Sequence, residues 1–259
     1  MNQSLLAALL CLALAVPAVA QDDRLDELTF DEGVSLKDEA LPYFAIGVGP
    51  VVTLSFPNLD AVNVRAKELG LAEMKTPFIQ AGVELFTAIG IVPNVRVGFS
   101  WITGSASSEG RMVAGSDTVN RTMEYSIGSR TVHADYAWVP VRSLSIIPGV
   151  GFCWATQTIA TFQAPADVAW SNLTNPTTLA PAPTAFSEMR RSALAVVPRL
   201  NIEYAIAPWV AVRAQAAYTL QVSGADWQLN RTVNVTGVPE NIKISAFSAQ
   251  LGLFIGLFN

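Results

Sequence analysis

In the stretch SALAVVPRLNIEYAI, Ser192 to Ile206, an otherwise apolar run carries Arg199, Asn201 and Glu203 at every second position. Successive strand residues point to opposite faces, so these three polar side chains share one face and the aliphatic ones the other. The same parity collects Glu84, Arg96, His133, Asp135, Arg191, Arg199, Glu203 and Arg213 on the polar faces of several such runs. Guanidiniums and carboxylates gathered this way can neutralise one another as a buried salt-bridge plug, or they can line a pore and select ions. A filled interior is the usual outcome in a narrow barrel, so the set is read as a lumen charge network.

One pairing can be placed by counting. The runs 192–206 and 210–222 both turn odd-numbered residues to the charged face, and a three-residue turn at 207–209 pairs residues whose numbers sum to 416. Glu203 then stands opposite Arg213. His133 and Asp135 share a face and could in principle serve as an acid/base pair. They fall near a short turn, however, whereas a lipid-modifying site belongs beside the long loops. His133 is the single histidine of the chain, so a multi-histidine metal site is excluded and no Ser-His-acid set can be assembled. The expectation is a protein without catalytic residues, metal or cofactor.

The elements that must hold these residues are strands. Residues 43–56 place Phe44, Ile46, Val48, Pro50, Val52, Leu54 and Phe56 on one face and small or polar residues on the other. Seven further runs follow the same period of two: 78–91, 94–104, 121–139, 144–158, 192–206, 210–222 and 242–258. In the fourth, Met123, Tyr125 and Ile127 share one parity whereas Val132, Ala134, Tyr136 and Trp138 share the other. A bulge near Gly128 is the expected cause. Pro50, Pro148 and Pro198 fall inside strands, where each removes a ladder donor, and local bulges or a less regular barrel are both open.

Connections alternate in length. Short turns lie at Val92-Pro93-Asn94, Pro140-Val141-Arg142 and Ala207-Pro208-Trp209, whereas about 21, 16, 33 and 19 residues join the other strand pairs. The first long loop, PNLDAVNVRAKELGL, predicts a helix capped by Asn58, with Leu59, Val62, Ala66 and Leu69 on one stripe and Gly70 as its stop. That helix is expected to lie as a lid on the barrel mouth, with a recognition element as the alternative.

Polarity decides which face is outside. The face opposite the apolar one is dominated by Gly, Ala, Ser and Gln, unlike a water-exposed surface and suited to a packed interior. Aromatics form two girdles: Phe44, Tyr136, Trp138 and Trp209 near the short turns, and Phe56, Trp101, Trp154 and Tyr218 near the long loops. The fold expected is all-β, an eight-stranded antiparallel up-and-down transmembrane β-barrel with a short amphipathic helix in the first long loop. Over residues 43–259 this architecture resembles the small outer-membrane barrels of Gram-negative-type bacteria related to the transmembrane domain of outer membrane protein A. The final strand SAFSAQLGLFIGLFN looks like their assembly signal, although Asn259 follows Phe258. The resemblance implies export through the periplasm and insertion by a barrel assembly machinery that reads the last strand.

The N-terminus agrees with export. MNQSLLAALLCLALAVPAVA has an apolar core too short to cross a bilayer and ends in Ala18-Val19-Ala20, which predicts a signal peptide over 1–20. Residues 21–42 hold eight acids against Arg24 and Lys37, and are read as an acidic periplasmic segment. The rest, 43–259, has 13 acids and 14 bases and forms the barrel domain. With the leader removed, Cys153 has no cysteine to pair with. No basic footprint for nucleic acid is present. The expected partners are outer-membrane lipid, the assembly machinery, and an extracellular ligand or protein at the long loops. The leading functional expectation is a non-enzymatic surface scaffold or binding protein. A narrow channel for small or partly apolar solutes and, behind it, an outer-leaflet lipid enzyme are the alternatives.

Overall fold

The structure is a computed structural model that describes residues 43–114, 117–141, 143–165 and 185–258. The leader, the acidic segment, Arg142, most of the long loop before residue 185 and Asn259 lie outside the described residues. Alternating burial over the period-two runs produces the strands β1 (Ala45–Pro57), β2 (Phe78–Ala88), β3 (Val95–Ala114), β4 (Asp117–Tyr136), β5 (Trp138–Val141), β6 (Leu144–Pro165), β7 (Ala185–Ala207), β8 (Val210–Gly224), β9 (Gln228–Leu229), β10 (Val233–Asn234) and β11 (Ala246–Phe258). One helix, α1 (Asp60–Glu68), lies between β1 and β2.

Eight of these strands close a ring in the order β1-β2-β3-β4-β6-β7-β8-β11 and back to β1, every pair antiparallel. Closure leaves the ring without an edge, so backbone groups facing an apolar solvent stay paired. β5 is a short continuation beside β6, and β9 and β10 form a small hairpin whose first strand pairs with β7.

Two features differ from the pattern expected of the sequence. β3 and β4 pair without a register break from Val95↔Tyr136 to Ala114↔Asp117, so the long loop expected between them is mostly ladder. Gly128 carries no bulge either, since β4 is in constant register with both β3 and β6. Odd residues of β4 face inward along the whole strand, from Met123, Tyr125 and Ile127 to Thr131, His133 and Asp135. The faces never exchange. What exchanges is their polarity, because the outward side is apolar at Val132, Ala134 and Tyr136 and polar at Ser126, Glu124 and Thr122.

The prolines sit in the regular barrel without bulges of their own. Pro50, Pro148 and Pro198 all face outward and are exposed. Pro50 keeps its partner Val83 on β2 while the ladder to β11 skips from Val48 to Val51 in unchanged register. Pro198 likewise pairs with Val150 while the ladder to β8 skips from Val196 to Arg199, and Pro148 pairs with Leu200 just past the last rung between β4 and β6. Each missing N–H thus falls on one side of its strand only, a vacancy that a sheet tolerates when the other ladder is intact.

Candidate functional site

Six charged side chains meet inside the barrel as a closed ring of alternating sign. Asp135 Oδ2 accepts from Arg96 Nε at 3.0 Å, Arg96 reaches Glu203 Oε2 at 3.0 Å, and Glu203 Oε2 accepts from the facing Arg213 at 2.6 Å. Arg213 and Arg199 both reach Glu84 Oε1 at 2.7 Å, and Arg199 Nε lies 3.4 Å from Asp135 Oδ1, which completes the circuit. His133 bridges it internally, with Nδ1 3.1 Å from Asp135 and Nε2 3.3 Å from Glu84. These side chains are almost wholly buried. Three carboxylates balance three guanidiniums, so each charge removed from water finds opposite neighbours, the condition under which such burial is tolerated.

Neutral side chains extend the ring to the remaining strands. Gln250 of β11 donates to Glu84 Oε2 at 3.0 Å and accepts from Thr53 of β1 at 3.0 Å. Asn201 accepts from Arg199 at 3.2 Å and donates to the Ile147 carbonyl of β6 at 3.0 Å. Tyr43 donates to Glu203 at 3.2 Å and accepts from Arg96 at 3.3 Å. All eight ring-forming strands are therefore tied to one polar cluster. Glycines make room for it: a Cβ on Gly98 would meet the His133 ring, and one on Gly149 the Asp135 carboxylate.

Layers above and below close the lumen. On the short-turn side, Phe86 and Phe254 form a floor, with Arg213 4.1 Å from both ring centroids and Arg96 4.6 Å from that of Phe86. Such cation–π contacts favour guanidiniums over Lys at this level. Above the ring lies a small polar chamber of about 70 Å³ bounded by Thr53, Gln80, Ser100, Thr131, Cys153 and Gln250, with room for a handful of waters. Higher still the interior is apolar: Met123, Tyr125, Ile127, Ile159, Trp227 and Ile242 pack beneath Leu59, Val62 and Ala66 of the α1 region.

The helix is thus seated as a lid. Leu59, not the expected Asn58, stands at the N-cap and carries no side-chain cap; Asn58 Oδ1 accepts from the Asp60 N–H at 2.9 Å from one residue earlier, and Gly70 ends the segment with φ of 75°. Asn63 clamps the return chain, exchanging hydrogen bonds of 2.8 and 3.1 Å with the Met74 backbone.

Arg191 does not join the charge ring. Eight residues separate it from Arg199 on β7, roughly 26 Å along a strand, and parity alone cannot register that height. It belongs to the apolar mouth, where Nε donates to Gln157 at 2.6 Å, NH2 meets the Ile242 carbonyl, and the guanidinium covers the Trp227 ring at 4.9 Å. Asn201 joins the ring on the face its spacing predicts, whereas Tyr43, Thr53 and Gln250 extend it without being charged. Their inward parity is the signal that could have found them.

The outer wall shows a sharp boundary. Phe44, Phe56, Trp101, Tyr136, Trp138, Trp154, Trp209 and Tyr218 all face outward and are exposed, at the two ends of a belt of Val, Leu, Ile and Phe. On the loop side the belt ends on one rung, Trp101↔Arg130↔Trp154↔Leu194 across β3, β4, β6 and β7. In the next turns beyond it the outward residues are Thr103, Ser105, Ser126, Thr156, Thr158, Ser192 and Arg190, with the exposed pair Phe162 and Phe186 higher on β6 and β7, while the inward ones turn largely apolar. Below the rung the wall is built for lipid and above it for water. The chain is a membrane-spanning barrel whose strands continue past the bilayer.

No family model matches the chain, and no curated protein matches it. Among solved structures it is similar to Neisserial surface protein A (11% identity over 83% of this chain and 96% of that one, TM-score 0.43) and to a major outer membrane protein of Thermus thermophilus (9%, 82% and 99%, 0.42). A third is Ail, the attachment invasion locus protein of Yersinia pestis (8%, 83% and 99%, 0.37). At such distances the strand order and the belt of the chain itself remain the basis for its assignment as a small barrel of the outer-membrane type.

Proposed function

We propose that the chain is an integral barrel of the outer membrane of a Gram-negative-type bacterium, acting as a closed, non-enzymatic surface scaffold that presents its loop-side extension to the exterior. The observation that carries this reading is the exchange of polarity at the Trp101–Arg130–Trp154–Leu194 rung, which supplies a lipid-facing belt and a water-facing crown on the same strands. A scaffold is favoured over a pore because the charge ring, its aromatic floor and the α1 lid occupy successive levels of the lumen. An acid/base role for His133 is disfavoured because both ring nitrogens face carboxylates of the ring itself. In this reading the C-terminal strand β11 is the segment offered to the barrel assembly machinery before the ring closes. The acidic segment 21–42 is assigned to the periplasmic side, and the crown is where an extracellular ligand or protein would dock.

Refolding residues 21–259 into liposomes and recording across a planar bilayer tests this. Insertion without steady conductance is expected. Steady conductance that shifts in a Glu203→Gln/Arg213→Gln variant would replace the scaffold by a channel, and a chain that stays water-soluble would remove the membrane assignment.

A further inference from the structure

One stretch of the outer wall departs from a plain belt edge. Across β3, β4, β6, β7 and the end of β8 runs an open groove of about 740 Å³, bounded by Trp101, Arg130, Trp154, Arg190, Ser192 and Leu194. Its size is that of a site for a small molecule or a headgroup. It straddles the polarity boundary: Leu194 and the Trp154 ring, packed edge-to-face on Phe152 at 4.8 Å, belong to the belt, while Ser192 and Arg190 belong to the crown.

Among the described residues the groove carries charge without a carboxylate to balance it. Among the described residues no carboxylate lies within ion-pair distance of Arg130 or Arg190. Arg130 instead lies 5.9 Å from the Trp101 ring centroid, held by an aromatic face and not by an acid. Glu188, two residues from Arg190 on the same outward face, is engaged by Arg231 at 3.6 Å. A second hollow of about 610 Å³ continues upward past Arg190 and Asp226 to Arg231, so the groove opens into the crown. The arginines of the lumen ring, Arg96, Arg199 and Arg213, are by contrast matched by carboxylates.

We infer that this groove holds the phosphate-bearing headgroup of a membrane lipid, with Arg130 and Arg190 on the phosphate and the acyl chains lying down the belt beside Val132, Phe152 and Leu194. Guanidiniums match phosphate oxygens with paired donors, and tryptophans favour the zone where headgroup meets acyl chain. The position selects a lipid over a soluble ion: Arg130 stands on the last rung of the belt, at headgroup depth, and the groove opens on the side from which chains approach. This rests on the membrane reading above.

The test uses the full chain inserted in phosphatidylcholine vesicles containing a minor fraction of either brominated phosphatidic acid or brominated phosphatidylcholine, with quenching of tryptophan fluorescence as the readout. Insertion is scored separately by flotation and by the gel shift of the folded barrel. The brominated phosphatidic acid should quench severalfold more than its zwitterionic counterpart, and Arg130→Gln/Arg190→Gln should bring the ratio to about one with insertion unchanged. Arg65→Gln, on α1, should leave the ratio at its wild-type value. Equal quenching by the two lipids in the inserted wild type, or a preference that survives the double variant, overturns the lipid site and leaves the membrane reading standing. Loss of the preference in excess inorganic phosphate overturns the assignment to a lipid in favour of a soluble anion, and persistence supports it. Failure of the wild type to insert overturns both readings together.

Discussion

Glu203 of β7 and Arg213 of β8 face each other across one rung, and a single carboxylate oxygen, Oε2 of Glu203, accepts from Arg213 NH2 at 2.6 Å and from Nε at 3.0 Å. That oxygen also accepts from Arg96, and Arg213 also donates to Glu84, so the pair is one segment of a circuit. Replacing either partner by Gln strands a buried charge and should cost about 3–5 kcal/mol of stability. The Glu203→Gln/Arg213→Gln double variant should cost about 1–3 kcal/mol less than the sum of the singles. Urea unfolding in vesicles, followed by tryptophan fluorescence, measures both. Additive losses would show that the two side chains do not act through one another.

The clearance at Gly98 gives a steric prediction. Its missing Cβ is the space filled by the imidazole of His133 on the adjacent strand, which lies on the Gly98↔His133 rung. Gly98→Ala must push the ring away from Glu84 or displace backbone, an overpacking that costs about 1–3 kcal/mol. Gly128→Ala is the control, because a Cβ there meets only ordinary contact with Thr103. Equal unfolding midpoints for the two variants would count against a tightly seated ring.

Much of this arrangement was legible in the chain because lipid on one side and a packed lumen on the other enforce strict alternation. The parity of β1, β2, β7, β8 and β11 needed only that rule, and the opposition of Glu203 to Arg213 needed only a turn length. Even there the turn is tighter than three residues, with Ala207 paired to Val210 after a register shift that leaves the Glu203 rung in place. The reading broke down where the outer solvent changes. On β4 the apolar residues move from even to odd positions at Arg130, and a rule that keeps the apolar face outward must invoke a bulge to explain this. Water outside the crown and an apolar core within it explain the switch with an unbroken ladder. The height of Arg191 failed for a related reason, since parity records a face and not a level. Trp227 and Ile242 come from a loop and join the core through tertiary packing, which no local periodicity announces.

The lid predicts a local phenotype. Val62 is buried under α1 against the crown core, so Val62→Asp places a carboxylate in an apolar layer and should detach the helix. The barrel below, held by its own ladders and the charge ring, should stay inserted. Limited trypsin digestion of inserted protein should then cut at Arg65 or Lys67 in the variant several times faster than in the wild type, with the strand fragments still protected. Cutting at equal rates would mean that the helix is not held down by its buried stripe.

The polarity boundary can be read optically. Trp154 lies on the last rung of the belt with its side chain exposed, whereas Trp227 is 4% exposed beneath the lid. In a variant that keeps Trp154 and has its other tryptophans changed to Phe, spin labels attached near the lipid headgroups should quench strongly and those deep in the acyl chains weakly. In the matching variant that keeps Trp227, neither lipid-borne labels nor aqueous iodide should quench appreciably, because the indole is enclosed by the crown core and covered by Arg191. The contrast is specific to a barrel that outgrows its membrane. If the belt extended to the ends of β3 and β4, Trp154 would lie nearer the bilayer centre and the deep labels would quench it best. If the barrel did not span lipid at all, iodide would reach Trp154 as readily as any label. The order of quenching therefore fixes where on the strands the membrane ends, independently of whether the lumen conducts.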